Sequence, residues 1–326
     1  MTAPSRAPLV WALHDGKIGM ANQVCGLAEA VGYGLVEKAI VVKAPWRHLS
    51  PSLWINPLAA VAPEGAQLEP PWPDLLIACG RLVTALALAV KRASKGRTFW
   101  VQVQDPRFAR REVDLMVVPQ HDPARGENVL LTLGAVHRVR PERLAEGRER
   151  FAPLFAGLPR PLVGVLIGGS NRAYRLTEAA LATLGEQLAA LADHGFGIAI
   201  TASRRTPEAG LAALRAKLGK IPYYLWDGEG ENQYFGLLAA ADALLVTADS
   251  VNMVSEAAAT GKPVHVIELA GGTAKFRRFH EALRTAGITR PFRGAIEQWS
   301  YPPLDDTARA AAEIRRRLAP RLACVA

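Results

Sequence analysis

The chain has 326 residues, 50% of them hydrophobic, a formal net charge of +9 and three cysteines. That length suffices for two domains, each with its own core, and that composition excludes a disordered or disulfide-stapled chain. The basic excess is mostly arginine scattered without a compact tail, so it favours small anionic ligands or an anionic membrane surface over nucleic acid.

Cys25 and Cys79 lie in apolar stretches as small buried hydrophobes, and Cys324 is left near the end. No Cys/His spacing suggests zinc, and a reducing compartment is expected. Residues 1–8 carry no apolar core of signal-peptide length, and no apolar run approaches the roughly 20 residues of a membrane span. The expected location is the cytoplasm, with peripheral attachment to the inner face of a membrane as the variant.

In chain order, residues 9–13 read as a buried strand, followed by the loop His14-Asp15-Gly16-Lys17-Ile18-Gly19 and a helix over 20–31. Glycines flanking a lysine just before a helix suit an anion or sugar, since the backbone can approach closely and the helix start offers free N–H groups. Neither GxGxxG nor GxxxxGK[ST] is present, so no dinucleotide or P-loop site is implied. A strand over 35–42 follows. Residues 44–73 then concentrate prolines (45, 51, 57, 63, 70, 71, 73) and Trp46, Trp54 and Trp72, which predicts an ordered loop region with one short helix at 52–56. Its Trp and Leu residues cover the core edge or form a patch for an apolar acceptor or membrane.

Strands at 74–79, 97–104, 113–119 and 129–133 complete the first half, with a helix after Gly80-Arg81. A charged helical block at 141–158 leads to a second run of the same style. Strands at 161–167, 196–201, 223–226, 243–247 and 264–266 alternate with helices at 177–194, after Pro207, at 233–241, around Glu256 and at 276–286. Alternating strand and helix predicts an α/β chain of two Rossmann-like domains with mostly parallel sheets and a cleft between them. The expected domains are 1–157 (acceptor side) and 158–303 (donor side), with a 304–326 helix packing back on the first.

Polar loops that follow parallel strands face the ligand crevice. In the second half, Gly168-Gly169-Ser170 offers backbone and hydroxyl to a phosphate, and Ser203-Arg204-Arg205 offers charge-assisted donors. Asp249, Ser250, Asn252 and Glu256 offer acceptors for ribose or sugar hydroxyls, although Asp249 or Ser250 could simply cap the next helix. Together these fit a nucleotide diphosphate. In the first half, Gly16, Lys17, Gly19, Asn22, Gln23, Arg81, Gln104 and Asp105 are candidates for the acceptor side. Asp15 and His14 are the leading candidates for a general base, with Asp105 and His121 behind them. No Asp-x-Asp pair stands at a strand end, so neither metal nor cofactor is expected, and Asp305-Asp306 reads as a helix cap.

These loops, together with Val246-Thr-Ala-Asp249-Ser250-Val-Asn252-Met-Val-Ser-Glu256-Ala, resemble the mitochondrial fission (elongated mitochondria) family over nearly the whole chain. That family's founding plant member is linked to mitochondrial division as an adaptor. The Ala- and Arg-rich composition suggests a bacterial homologue. His14 stands where a small hydroxyl residue is expected and Met20-Ala21 replaces a more polar pair, which leaves Asp15 the better candidate base. The second half also resembles the donor-binding domain of GT-B glycosyltransferases, in which a glycine loop and a helix-borne Glu hold the nucleotide sugar. The resemblances imply a metal-independent transferase moving a sugar from a nucleotide-diphosphate donor to a lipid-linked or envelope acceptor. A non-catalytic binding or adaptor protein is the alternative. A nucleotide-sugar epimerase ranks third, since neither GxGxxG nor Tyr-x-x-x-Lys is present.

Overall fold

In a computed structural model that describes residues 7–226 and 228–323, the chain forms two compact α/β units, residues 1–138 with 305–326 and residues 139–304. Residues 1–6 and Cys324, which entered the reading of compartment, lie outside the described residues.

The first unit runs β1 (Val10–His14), α1 (Ile18–Val31), β2 (Leu35–Ala39), β3 (Leu75–Cys79), α2 (Arg81–Ala93), β4 (Phe99–Val103), β5 (Leu115–Pro119) and β6 (Val129–Thr132). All strands pair in parallel, in the order β2-β1-β3-β4-β5-β6. The four central strands are buried from end to end, as parallel strands covered on both faces must be. Their side chains alternate between two cores. Val10, Ala12, Leu75, Ile77, Val101 and Val117 point to one, and Trp11, Leu13, Leu76, Trp100 and Met116 to the other.

The proline-rich segment forms three short 3-10 turns, Trp46–His48, Pro51–Leu53 and Pro57–Ala60, in place of the single helix expected at 52–56. A proline can open a turn, but the prolines that follow remove the N–H donors needed to extend it.

The second unit runs α3 (Pro141–Phe155), β7 (Leu162–Ile167), β8 (Tyr174–Arg175), α4 (Glu178–Asp193), β9 (Gly197–Ala202), α5 (Glu208–Leu218), β10 (Tyr223–Trp226), α6 (Tyr234–Ala240), β11 (Ala243–Thr247), α7 (Val251–Ala258), β12 (Val264–Ile267), β13 (Ala270–Gly271), α8 (Ala274–Thr285) and β14 (Thr289–Pro291). Its main sheet is parallel, in the order β10-β9-β7-β11-β12-β14, while β8 and β13 form a small antiparallel ribbon. Helix α3 packs on α6, where Arg148 donates to the Ala239 carbonyl at 2.9 Å. The border between units therefore falls at 138/139, ahead of the junction expected near 157.

The last helix, α9 (Asp306–Ala323), returns to the first unit. It packs on α1 and adds Ala310, Ala311, Ile314 and Leu318 to that unit's core. Asp306 accepts from the N–H groups of Leu133 and Gly134, each at 2.8 Å, and so ties the helix start to the loop after β6. Among the described residues, no helix is long and apolar enough to cross a membrane.

Candidate functional site

In the second sheet the chain first builds outward from β7 through β9 to β10, then crosses to place β11 on the other side of β7. Such a reversal opens a crevice at the carboxyl ends of the two strands concerned. The loops found there are those of the sequence motifs, Gly168–Ser170 after β7 and Asp249–Ser250 after β11, with Ser203–Thr206 from the neighbouring β9.

Asp249 organises them. Its side chain is fully buried, and it accepts from the Gly169 N–H at 3.0 Å, the Thr247 hydroxyl at 2.7 Å and the Arg205 guanidinium at 2.9 Å. A Cβ on Gly168 would stand 2.2 Å from its Oδ1, and a Cβ on Gly169 would stand 2.3 Å from the Arg205 carbonyl oxygen. Both glycines are therefore required by packing inside the crevice wall, before any ligand is considered. Thr247 also takes the Gly168 N–H at 2.8 Å, and Ser203 and Thr206 donate to the Gly168 carbonyl at 2.8 and 2.5 Å.

These bonds change the expected assignments. Asp249 has no free face for a ribose hydroxyl and acts as the brace that sets the loops. The N–H groups of Gly168 and Gly169 are already committed. Ser250 caps α7 by accepting from the Met253 N–H, and Ser170 bonds its own loop through Leu176. Donors toward an anion come from the arginines. Arg205 lies across the Gly169 and Ser170 carbonyls with its side chain 47% exposed, and Arg204 is exposed beside it. Asn252 is half-buried in the first turn of α7, whose start carries no acidic residue.

Glu256, on α7, is buried, and Tyr234 at the start of α6 donates to its Oε2 at 2.6 Å. Burial pushes the Glu256 carboxyl up to about 7, against the opposing pull of the Tyr234 hydrogen bond. The same burial, with the carboxylate alongside, lifts the Tyr234 phenol well above its usual range. Glu256 can thus serve as a donor or an acceptor near neutral pH. Tyr234 was not anticipated; the available signal was an aromatic hydroxyl at the first position of a short helix. Beside this crevice, under α8, lies a cavity of about 300 Å³ lined by Ala248, Glu268, Arg277, His280 and Arg290 among others. His280 bonds the Ala248 carbonyl through Nε2 at 2.9 Å, while its buried Nδ1 has no partner.

The first unit has its own reversal, between β1 and β3. There the Asp15 side chain is 8% exposed and is held through Oδ2 by the ammonium of Lys17, which is 67% exposed. Gly80 lies against Asp15 and Met20, and Arg81 is exposed at the start of α2. Gln23 is buried, and it accepts from the Gln104 amide at 3.2 Å and from the Cys79 thiol at 3.7 Å. Gln104 itself holds a φ of +66°, a left-handed conformation that a residue with a side chain seldom adopts. Gly16, Lys17, Gln23, Arg81 and Gln104 are thereby brought to one end of the sheet with Asp15. Gly19 and Asn22 sit in the first turns of α1.

Two base candidates lose ground. His14 is buried, with Nδ1 accepting from the Gly16 N–H at 3.1 Å and Nε2 facing Glu37 at 2.9 Å, so both nitrogens hold the loop. Asp105 is closed by a two-pronged contact from Arg110 at 2.8 and 2.5 Å and by the Arg107 N–H at 2.9 Å. Burial would raise its carboxyl, yet these partners hold it below the usual range. His121 is buried in the loop after β5.

The side chains of His14, Cys25 and Glu37 come within 4.8 Å of one another. The Gly16 N–H occupies the Nδ1 lone pair, so the proton rests on Nε2, and burial pushes the Cys25 thiol up to about 12. Both protons would have to leave before this cluster held a cation.

The model of the mitochondrial fission ELM1 family matches residues 18–318. Mitochondrial fission protein ELM1 of Arabidopsis thaliana is 36% identical over 288 residues, which cover 76% of this chain and 65% of that protein's length. Among solved structures, the glycosyltransferase SnogD from Streptomyces nogalater is similar with a TM-score of 0.54 at 16% identity, covering 96% of this chain and 95% of its own. UDP-GlcNAc 2-epimerase from Neisseria meningitidis, solved with UDP-GlcNAc bound, is similar with a TM-score of 0.50 at 13% identity, covering 95% of this chain and 99% of its own. At such identities the likeness is one of fold, the two-unit GT-B fold.

Proposed function

This chain belongs to the mitochondrial fission ELM1 family, and we propose that it is a metal-independent glycosyltransferase that binds a nucleotide-diphosphate sugar on its second unit. The observation that carries this reading is the strand-reversal crevice itself, where a braced glycine loop and half-exposed Arg205 meet at the carboxyl ends of β7 and β11, with buried Glu256 on the helix that follows β11. Arg204 and Arg205 meet the diphosphate, Glu256 with Tyr234 meets the ribose hydroxyls, and the cavity under α8 takes the sugar. The acceptor binds the first unit. Asp15 takes the proton of its hydroxyl as that oxygen attacks the sugar's anomeric carbon, and the nucleoside diphosphate leaves with the bond electrons, its charge met by the two arginines. No cofactor takes part.

Titration calorimetry across a panel of nucleotide sugars, with Glu256→Ala as control, tests the donor half. Heat with one donor that disappears in the variant is expected, and no heat with any donor overturns it. Asp15→Asn should then lower kcat while leaving donor affinity nearly intact. The pairing of Asp15 with Lys17 favours a second reading, a non-catalytic adaptor that keeps the fold, because the lysine ammonium occupies the carboxylate oxygen that an acceptor hydroxyl would have to meet. Donor binding without turnover for any acceptor would support that reading.

A further inference from the structure

Large apolar side chains that a fold leaves in water usually mark a contact surface when they cluster. In the first unit most of them fall in one short stretch, residues 41–55. Ile55 is 100% exposed, Leu53 69%, Leu49 43% and Val41 42%. The same stretch turns Pro51 and Trp54 inward, so the outward residues are not surplus from a filled core. It is pinned as well as apolar. The Pro51 turn packs on α2, Val42 bridges Val61, and the Lys43 N–H meets the Ala60 carbonyl at 3.0 Å. Its charge has one sign. Between Glu37 and Glu64 there is no acidic residue, while Lys38, Lys43 and Arg47 lie among the apolar ones. Lys43 and Arg47 are exposed.

The position of the stretch carries equal weight. It leaves the carboxyl end of β2, which pairs with β1 in parallel so that Ala39 stands beside His14. The Ile40 N–H meets the His14 carbonyl at 2.8 Å. The loop of Asp15 and Lys17 therefore leaves the same sheet end one strand away, and Ile18, which follows it, is 54% exposed.

We propose that Val41, Leu49, Leu53 and Ile55, with Lys43 and Arg47, form a docking surface for an anionic lipid bilayer. Apolar side chains enter the interface between headgroups and acyl chains while the cations meet lipid phosphates. The contact sets the Asp15 loop against the membrane, where an acceptor carried on a lipid would present its hydroxyl. The docking surface does not depend on the transferase reading, and its test needs no activity.

The full chain is sedimented with vesicles of phosphatidylcholine alone and of phosphatidylcholine mixed with phosphatidylglycerol. Binding to the mixed vesicles that weakens as salt rises is expected. Leu53→Glu/Ile55→Glu should lower the partition coefficient by at least about tenfold, and Lys43→Gln/Arg47→Gln by several-fold, with far-UV circular dichroism unchanged in both. The paired polar variant keeps the test valid if the apolar one misfolds. The proposal is overturned if the unaltered chain ignores anionic vesicles, or if both folded variants bind as it does. It is equally overturned if the chain self-associates in sedimentation velocity and Leu53→Glu/Ile55→Glu releases monomers, since a second copy then covers the patch.

Discussion

Replacing Glu256 by Gln removes a carboxyl that the fold holds near 7 and leaves an oxygen to accept from Tyr234. In the unfolded chain the group titrates near its ordinary value of 4.5. Below that pH both states keep the proton and the group has no effect on stability. As pH rises from about 4.5 to about 7 the unfolded chain ionises first, so native stability falls by about 1.4 kcal/mol per unit. The whole window amounts to about 3 kcal/mol, and because Glu256 is only 3% exposed, solvent screening does not much reduce it. Above the window the loss is complete and constant. The Gln variant escapes it, so it should equal the unaltered protein at pH 4.5 and exceed it by up to about 3 kcal/mol at pH 8. Urea midpoints measured at both pH values test this. Parallel pH profiles for the two proteins, or a Gln variant weaker at pH 8, would show that Glu256 is not held neutral by burial. The native cost has a function if ribose hydroxyls bind there. Donor affinity should then rise with pH through 7 in the unaltered protein and stay flat, and lower, in the variant.

Two further outcomes follow from the crevice and one from the first unit. Asp249→Ala removes the acceptor shared by Gly169, Thr247 and Arg205, and should lower stability by about 2–3 kcal/mol, read from urea midpoints. Donor affinity should fall with it in calorimetry, although Asp249 touches no ligand, because Arg205 loses its anchor. Gly168→Ala should destabilise by about 1–3 kcal/mol, since the new methyl would press on a buried carboxylate and not on a flexible tip. His14→Gln should lower stability by about 1–2 kcal/mol and leave the pH profile of any turnover unmoved; a lost limb in that profile would restore His14 as a proton carrier.

The fold was legible because parallel strands buried on both faces read as continuous apolar runs. Those of β1, β3, β7 and β11 stand out, each followed by polar loop residues. The elements missed were β8 and β13, of two residues each, and β14, of three and containing Arg290; none is long enough to show a period. The loops of the candidate crevice were legible for the same reason as the strands. Which way a side chain turned within them was not. Asp249 and Glu256 look alike as acidic residues after the same strand, yet three donors close one while a single tyrosine meets the other. Those donors come from the loop after β9, from β11 and from the loop after β7, brought together only by the crossing of the sheet. The pairing that closes His14 was illegible for a similar reason, since its partner Glu37 lies on the neighbouring strand β2.

The features of the second unit suit a binder and a transferase equally, because either would keep a braced glycine loop and arginines for a diphosphate. The distinction lies with Lys17. Its ammonium is mostly in water, whereas the Asp15 carboxylate it holds is nearly buried. A flexible, hydrated lysine is readily displaced, and its departure uncovers the carboxylate oxygen that it holds. An acceptor hydroxyl arriving at Asp15 while drawing Lys17 away, toward a phosphate of its own for instance, would uncover the carboxylate at the moment it is needed. In a pure adaptor the pair would stay closed and serve only to shape the loop between β1 and α1. Lys17→Met separates the two cases. It frees Asp15 permanently, so a transferase should retain proton transfer and lose acceptor affinity, raising KM with kcat kept, whereas an adaptor has no turnover to change and should register only altered loop stability.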